Sequence, residues 1–296
     1  MTVTTQAPNT RATSIRPRIA FQGEMGANSH IACSQRFPDL EPLPCPTFED
    51  AFAAIEDGRA ASGMIAIENS LYGRVADIHH LLPESGLHII GEHFLRIRFA
   101  LLGIKGAQIY QVKRVLSHVQ ALGQCRKYIR AHGFEPVIEA DTAGSARLVA
   151  ERKDPTQAAI APPLSGAIYG LETLDSDIQD SATNTTRFVI MAREAIDIDP
   201  STGPVMTSFL FRVRNVPAAL YKAMGGFATN GVNITKLESY QLGGTFNATQ
   251  FYAELEGHPS EKRVTLALEE LGFFSTHLRI MGSYAADPFR QSVAEA

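Results

Sequence analysis

The stretch Ser181–Arg193, SATNTTRFVIMAR, joins two unlike halves. Phe188, Val189, Ile190 and Met191 run without a break, which predicts a buried strand. Before them, Asn184, Thr185, Thr186 and Arg187 offer an amide, two hydroxyls and a guanidinium. Such a set reads either as a polar turn feeding a strand or as a site for an anion, because a guanidinium pairs with a carboxylate in bidentate fashion. A second candidate is IAIENSLYGRV, where Glu68, Asn69 and Ser70 come after a buried run and Gly73 allows a tight turn. The carboxyl end of a strand is where ligands lie in α/β folds. The same residues also suit a helix start, since Ser70 or Asn69 can cap the next helix. In the third, SHVQALGQC, Ser117 and Gln120 have the spacing of a capping box. Gln124 lies four residues after Gln120, so both amides leave one helix face and could hold a carboxylate near free N–H groups.

Other patterns carry less. His118 reads as a helix-start packing residue rather than a base. His79 and His80 are adjacent within a helix, face different ways, and do not make a metal pair. GEMGAN lacks the third glycine and the acidic partner of a dinucleotide fingerprint. No Ser–His–Asp set or Walker pattern can be assembled.

The elements that must position these residues alternate. RIAFQG predicts a strand and ANSHIACSQRF a helix; TFEDAFAAIEDG is a helix capped by Thr47 with Asp50 and ended by Gly58. SGMIAIE is a strand, VADIHHLLPE a helix, and LHIIGEHFLRIRFALLG an extended link. Strand and helix repeat through VKRVLSH and VQALGQCRKYIRAHG, EPVIEA and TAGSARLVAERK, then AAIA and PLSGAIYG. This predicts a mostly parallel α/β sheet with helices on both faces. Extended links near 86–103 and 180–192 would be crossings between two lobes. Past a Pro/Gly seam the order becomes β-α-β-β-α-β, a split βαβ or ferredoxin-like unit.

Composition is permissive. The chain has 296 residues, 45% of them hydrophobic, and net charge −4. No block of like charges points to nucleic acid or a membrane surface. No apolar run reaches the ~18 residues that would span a bilayer. Cys33, Cys45 and Cys125 are odd in number and form no CxxC pair, so they are expected as buried reduced thiols in a cytoplasmic protein.

TFEDAFAAIEDG…IAIENSLYGRV, SHVQALGQCRKYI, AAIAPPLSGAIYG and NTTRF, in this order and spacing, resemble a bacterial prephenate dehydratase followed by an ACT regulatory domain. The resemblance runs from about Arg18 to Tyr284. It implies a two-lobed, periplasmic-binding-protein-like catalytic domain over 18–196, a linker over 197–205 and an ACT domain over 206–285. Residues 1–17 would be a disordered tail and 286–296 a second tail. It implies conversion of prephenate to phenylpyruvate, water and CO₂ in phenylalanine synthesis, with no cofactor and no metal. The catalytic role falls on Thr186, with Asn69, Ser117 and Gln124; Glu68 is the candidate proton donor if its pKa is raised. Arg187, Phe188, Ser70 and Gln120 are expected, with Asn69, to hold substrate. In the ACT domain, Ala218, Ala219, Leu220, Glu238 and Ser239 match segments associated with phenylalanine. Alanine stands at 218 where the family has glycine, and tyrosine at 240 where it has arginine, which implies weaker phenylalanine control. A homo-oligomer, dimer or tetramer, through ACT domains is expected. So is some turnover by a chain lacking residues 204–296. Alternatives are an arogenate dehydratase and a non-catalytic amino-acid sensor.

Overall fold

The computed structural model describes residues 16–241 and 248–294. Three sheets organise them. The first holds β1 (Arg18–Gln22), β2 (Glu41–Cys45), β3 (Ser62–Asn69), the short β4 (Gly73–Arg74) and β5 (His88–Arg96). Between them run α1 (Asn28–Arg36), α2 (Phe48–Glu56) and α3 (Ile78–Glu84). As expected, Thr47 caps α2 by accepting from the Asp50 N–H at 3.1 Å. β2 was not legible: its sequence, EPLPC, alternates proline. It survives because it lies at the sheet edge, paired only with β1, where a missing N–H can face outward.

The chain then crosses to a second unit. β6 (Ala100–Gly103), β7 (Arg114–Ser117), β8 (Glu135–Ile138), β9 (Gln157–Ala161) and β10 (Glu172–Asp175) form its sheet. Its helices are α4 (Val119–Gln124), α5 (Arg126–His132), α6 (Thr142–Arg152) and α7 (Pro163–Tyr169). The expected single helix from Val119 to His132 is broken at Cys125, whose φ of −115° and ψ of 22° leave the helical range. β11 (Thr185–Ala192) returns to the first sheet and inserts between β3 and β5, antiparallel to both. The sheets are therefore mixed rather than mostly parallel. Crossing strands run back against their hosts, and β6 likewise runs antiparallel to β9 and β10. Burial on both faces explains the unbroken apolar run of β11.

The third unit comprises β12 (Val205–Val213), α8 (Ala219–Thr229), β13 (Ile234–Gln241), β14 (Ala248–Glu256), α9 (Lys262–Phe274), β15 (Ser275–Ala285) and α10 (Phe289–Ala294). Its strand order β13-β14-β12-β15 is that of a split βαβ sheet. One face is covered by α8 and α9, around Phe209, Phe211, Phe227 and Leu271. The other lies on the first sheet, where Met206, Leu210, Tyr252, Met281 and Tyr284 join Ile65, Ile67, Ile89 and Val189 in one apolar cluster. The approach is close at Gly282, where a Cβ would stand 1.9 Å from the Ile89 carbonyl oxygen. Residues 286–294 are no loose tail, because Arg290 bonds Glu92 and Glu254. Residues 1–15 of the expected N-terminal tail lie outside the described residues.

Candidate active site

Pairing of β3 with β11 sets Asn69 opposite Thr186 and Glu68 opposite Arg187. Successive side chains on a strand point to opposite faces, so these two pairs look in opposite directions.

On one face the Asn69 Nδ2 donates to Thr186 Oγ1 at 3.0 Å and to Asn184 Oδ1 at 2.8 Å. Asn69 Oδ1 accepts the N–H groups of Leu71 and Tyr72, at 3.0 and 3.1 Å. Asn184 Nδ2 in turn donates to Gln124 Oε1, reaching from the first unit to the second. Beside this chain of bonds lies a cavity of about 300 Å³, lined by Leu71, Tyr72, Gly123, Gln124, Asp180, Ser181 and Asn184. The units are drawn together around it. The Tyr72 hydroxyl donates to the Gln120 carbonyl at 3.2 Å, and the absence of a Cβ at Gly123 makes room for it. Farther along, Arg147 bonds Glu24, and Ser165 donates to the Gly26 carbonyl at 3.0 Å. Arg147 holds the Glu24 carboxyl below the usual carboxylate range.

On the other face Arg187 is 3% exposed and ringed by carboxylates: Glu254 at 2.7 Å, Glu92 at 2.8 Å and Glu68 at 3.0 Å. The Tyr284 hydroxyl accepts from it at 3.2 Å. Arg187 is thus not available to a substrate in the cleft; it ties β11 to the third unit. Glu68 faces the same way and bonds Lys236 of β13. Burial pulls its pKa up, but Lys236 and Arg187 outweigh burial and hold it below the usual range. An ionised carboxylate on the far face is no proton donor for Thr186, so the expectation of a raised Glu68 pKa is overturned. Glu92 is likewise held low against burial by Arg290 and Arg187.

Four further residues need correction. Ser117 is fully buried and its hydroxyl donates to the Ile160 carbonyl at 2.5 Å, so it packs the end of β7 instead of facing the cleft. The cap of α4 is His118, whose Nδ1 accepts the Gln120 N–H, so the Ser117–Gln120 box does not form. Gln120 contributes its carbonyl to Tyr72, and its side chain is exposed. Phe188 is 1% exposed in the apolar cluster with Phe21, Met64 and Leu95 and packs the core. Ser70 is stitched to backbone: its N–H donates to the Thr185 carbonyl and its hydroxyl accepts the Thr185 N–H. Asn69, Gln124 and Thr186, grouped by sequence reasoning, lie on one line of hydrogen bonds. Sequence reasoning noted Asn184 in the polar stretch but gave it no role, though alternation places residues 184 and 186 on one side. It missed Tyr72, which no spacing signalled.

In the third unit Ala218 caps α8 with φ of +61°, the left-handed region that favours glycine. Ala219 opens α8, and Leu220 packs against its apolar core. Glu238 faces the first unit and pairs with Lys236 at 2.7 Å, while Ser239 on the opposite face is exposed. The thiols are no nucleophiles: all three are buried, and burial pushes Cys33 and Cys125 up to about 12. Among the described residues no group of His, Cys, Asp and Glu could hold a metal, and no helix is long and apolar enough to cross a membrane.

Fold and site together define an α/β protein with mixed sheets, a cavity lined from two of its units and a βαββαβ unit packed on the first sheet. The chain belongs to the prephenate dehydratase family, whose pattern it matches over residues 19–196. It is 50% identical over 273 residues, 92% of this chain and 97% of the relative, to the bifunctional N-acyl-homoserine lactone acylase/prephenate dehydratase of Komagataeibacter europaeus. It is 37% identical to arogenate dehydratase 2 of Petunia hybrida, over 92% of this chain and 72% of that one. The prephenate dehydratase of Arthrobacter aurescens, solved in complex with L-Phe, superposes with a TM-score of 0.83 at 29% identity, covering 94% of this chain and 97% of that one.

Proposed function

We propose that the protein is a prephenate dehydratase. The ring carboxylate leaves as CO₂, and the electron pair of its C–C bond moves into the ring. The ring hydroxyl departs across it and takes up one proton to become water; aromatisation drives the reaction. The observation that carries this reading is the pairing of Thr186 with Asn69. Because Thr186 Oγ1 accepts from the Asn69 amide, its own proton is free to donate to the departing oxygen as that oxygen gains charge. With Glu68 ionised and turned away, the proton that completes water comes from solvent. Gln124 offers amide N–H groups to a carboxylate from the facing unit. The test is incubation with prephenate, reading phenylpyruvate by its alkaline absorbance, with arogenate in parallel. Turnover of arogenate alone would reassign the substrate, and turnover of neither would end the reading.

The third unit fits an ACT domain that responds to L-phenylalanine, the ligand with which the Arthrobacter aurescens protein was solved. The support is positional: Lys236, two residues before Glu238, bonds Glu68, the neighbour of Asn69. A homo-oligomer through this unit belongs to the same proposal. A second reading comes from the Komagataeibacter europaeus relative, whose name adds an N-acyl-homoserine lactone acylase. Among the described residues the hydroxyl bonded to a histidine ring is Ser260 with His258, at an exposed turn of the third unit. Hydrolysis of the N-acyl amide bond in the cleft would need another nucleophile, and assay for homoserine lactone release from an N-acyl-homoserine lactone decides it.

A further inference from the structure

The geometry points to Asn184 as a positioning residue that fixes the direction in which the Gln124 amide faces the cleft. It rests on the dehydratase reading for its consequence, but its structure stands alone. The argument starts at Asn69. Two backbone N–H groups, of Leu71 and Tyr72, end on its Oδ1, so the amide admits one orientation and its Nδ2 faces Thr186 and Asn184. Asn184 must then accept with Oδ1, which leaves Nδ2 as the atom that meets Gln124. Gln124 must accept in turn, so its Nε2 carries two hydrogens with no partner among the described residues. Amide directions usually left to assignment are here dictated link by link from the backbone. The result is two outward donors, the Thr186 hydroxyl and the Gln124 amide, aligned for a ligand rich in acceptor oxygens.

Asn184 is suited to this. It is 1% exposed, and its carbonyl accepts the Ile97 N–H at 2.9 Å, so both crossing segments hold it. It is also the link between units: Asn69 belongs to the first and Gln124 to the second. Thr186 is oriented within the first unit, whereas the Gln124 amide is oriented only while the two units are together.

The informative variant is Asn184→Asp, which keeps shape and still accepts from Asn69 but has nothing to give Gln124. The Gln124 amide then turns and presents its oxygen to an anionic substrate. We expect kcat/KM for prephenate to fall about 10²-fold at neutral pH, the scale for losing one transition-state donor. Activity should recover as pH falls, because a protonated carboxyl again donates to Gln124, and burial raises the value at which that happens. The Asn184→Asp, Gln124→Ala double variant should be no worse than the worse single variant. A wild-type pH profile in Asn184→Asp, or additive losses, would overturn the relay. A readout without turnover separates this from failure of the enzyme assignment. With asparagine labelled selectively, Gln124→Ala should speed exchange of the Asn184 side-chain amide about fivefold or more, as for loss of one hydrogen bond, and leave that of Asn69 unchanged. Unchanged Asn184 exchange would overturn the relay even if prephenate is turned over.

Discussion

Thr186 and Arg187 are neighbours with unrelated tasks, and substitution separates them. Thr186→Ala should lower kcat about 10²-fold or more with little change in KM, because its hydroxyl matters most as the leaving oxygen gains charge. Thr186→Ser, which keeps the hydroxyl, should retain more activity; steady-state kinetics on prephenate check both. Arg187→Met should behave differently. Its guanidinium meets three carboxylates at 3% exposure, and removing one partner from a buried ionic group costs about 3–5 kcal/mol. Chemical denaturation should show that loss while KM of the surviving fraction stays near wild type. A raised KM with undiminished stability would return Arg187 to the substrate. The sequence named both residues for one ligand, and only the observed regularity of the strand divides them. Alternation forbids both from facing one ligand on a regular strand, and β11 is regular across the pair.

Elements were legible where a periodic pattern coincided with a cap or a breaker, as in α2 with Thr47. They were not legible where tertiary contact overrode local preference. β2 forms through two prolines because it has an edge to itself, and the α4–α5 break at Cys125 has no proline or glycine at that position. The order of strands, which makes the sheets mixed, depends on which strand returns across the units, and no local pattern encodes that. The site was legible as a set of motifs, and its two-sidedness was not, because Glu68, Glu92, Lys236, Glu254 and Arg290 converge from distant segments. Two positions test how elements meet. Gly282→Ala drives a Cβ into the Ile89 carbonyl and should part β15 from β5. A loss of about 3 kcal/mol or more, at the top of the overpacking range, should appear in the unfolding midpoint. Ala218→Gly should relieve a left-handed alanine and stabilise the third unit by about 1 kcal/mol. Tighter phenylalanine binding by calorimetry would show that the same strain weakens the proposed effector site.

On the scale of the whole molecule, the third unit is the other wall of the first sheet. The expectation that residues 1–203 alone would retain turnover is therefore replaced. Truncation removes Tyr252 and Tyr284 from a shared core and leaves Arg187 without Glu254 and the Tyr284 hydroxyl, and Glu92 without Arg290. The truncated chain should be insoluble or inactive, as expression and activity measurements would show. The ring also sets an acid limit. The Glu68 and Glu92 carboxyls are depressed in the folded state, so the stability they contribute is present above the unfolded value of ~4.3 and lost as pH falls through their lower folded values. The melting temperature should drop steeply below about pH 4, and Glu92→Gln should flatten that drop. The same ring bears on how such chains are inherited. The seam at 197–204, rich in proline and glycine, looks like a natural crossover point between two genes' worth of structure. Yet Arg187 and Glu92 lie on one side of it, and Glu254, Tyr284 and Arg290 on the other. A chimaera spliced at the seam would inherit half of a charge-matched set. It would be viable only when both parents carry the same partners, so changes at these positions should appear in relatives as compensated pairs across the seam.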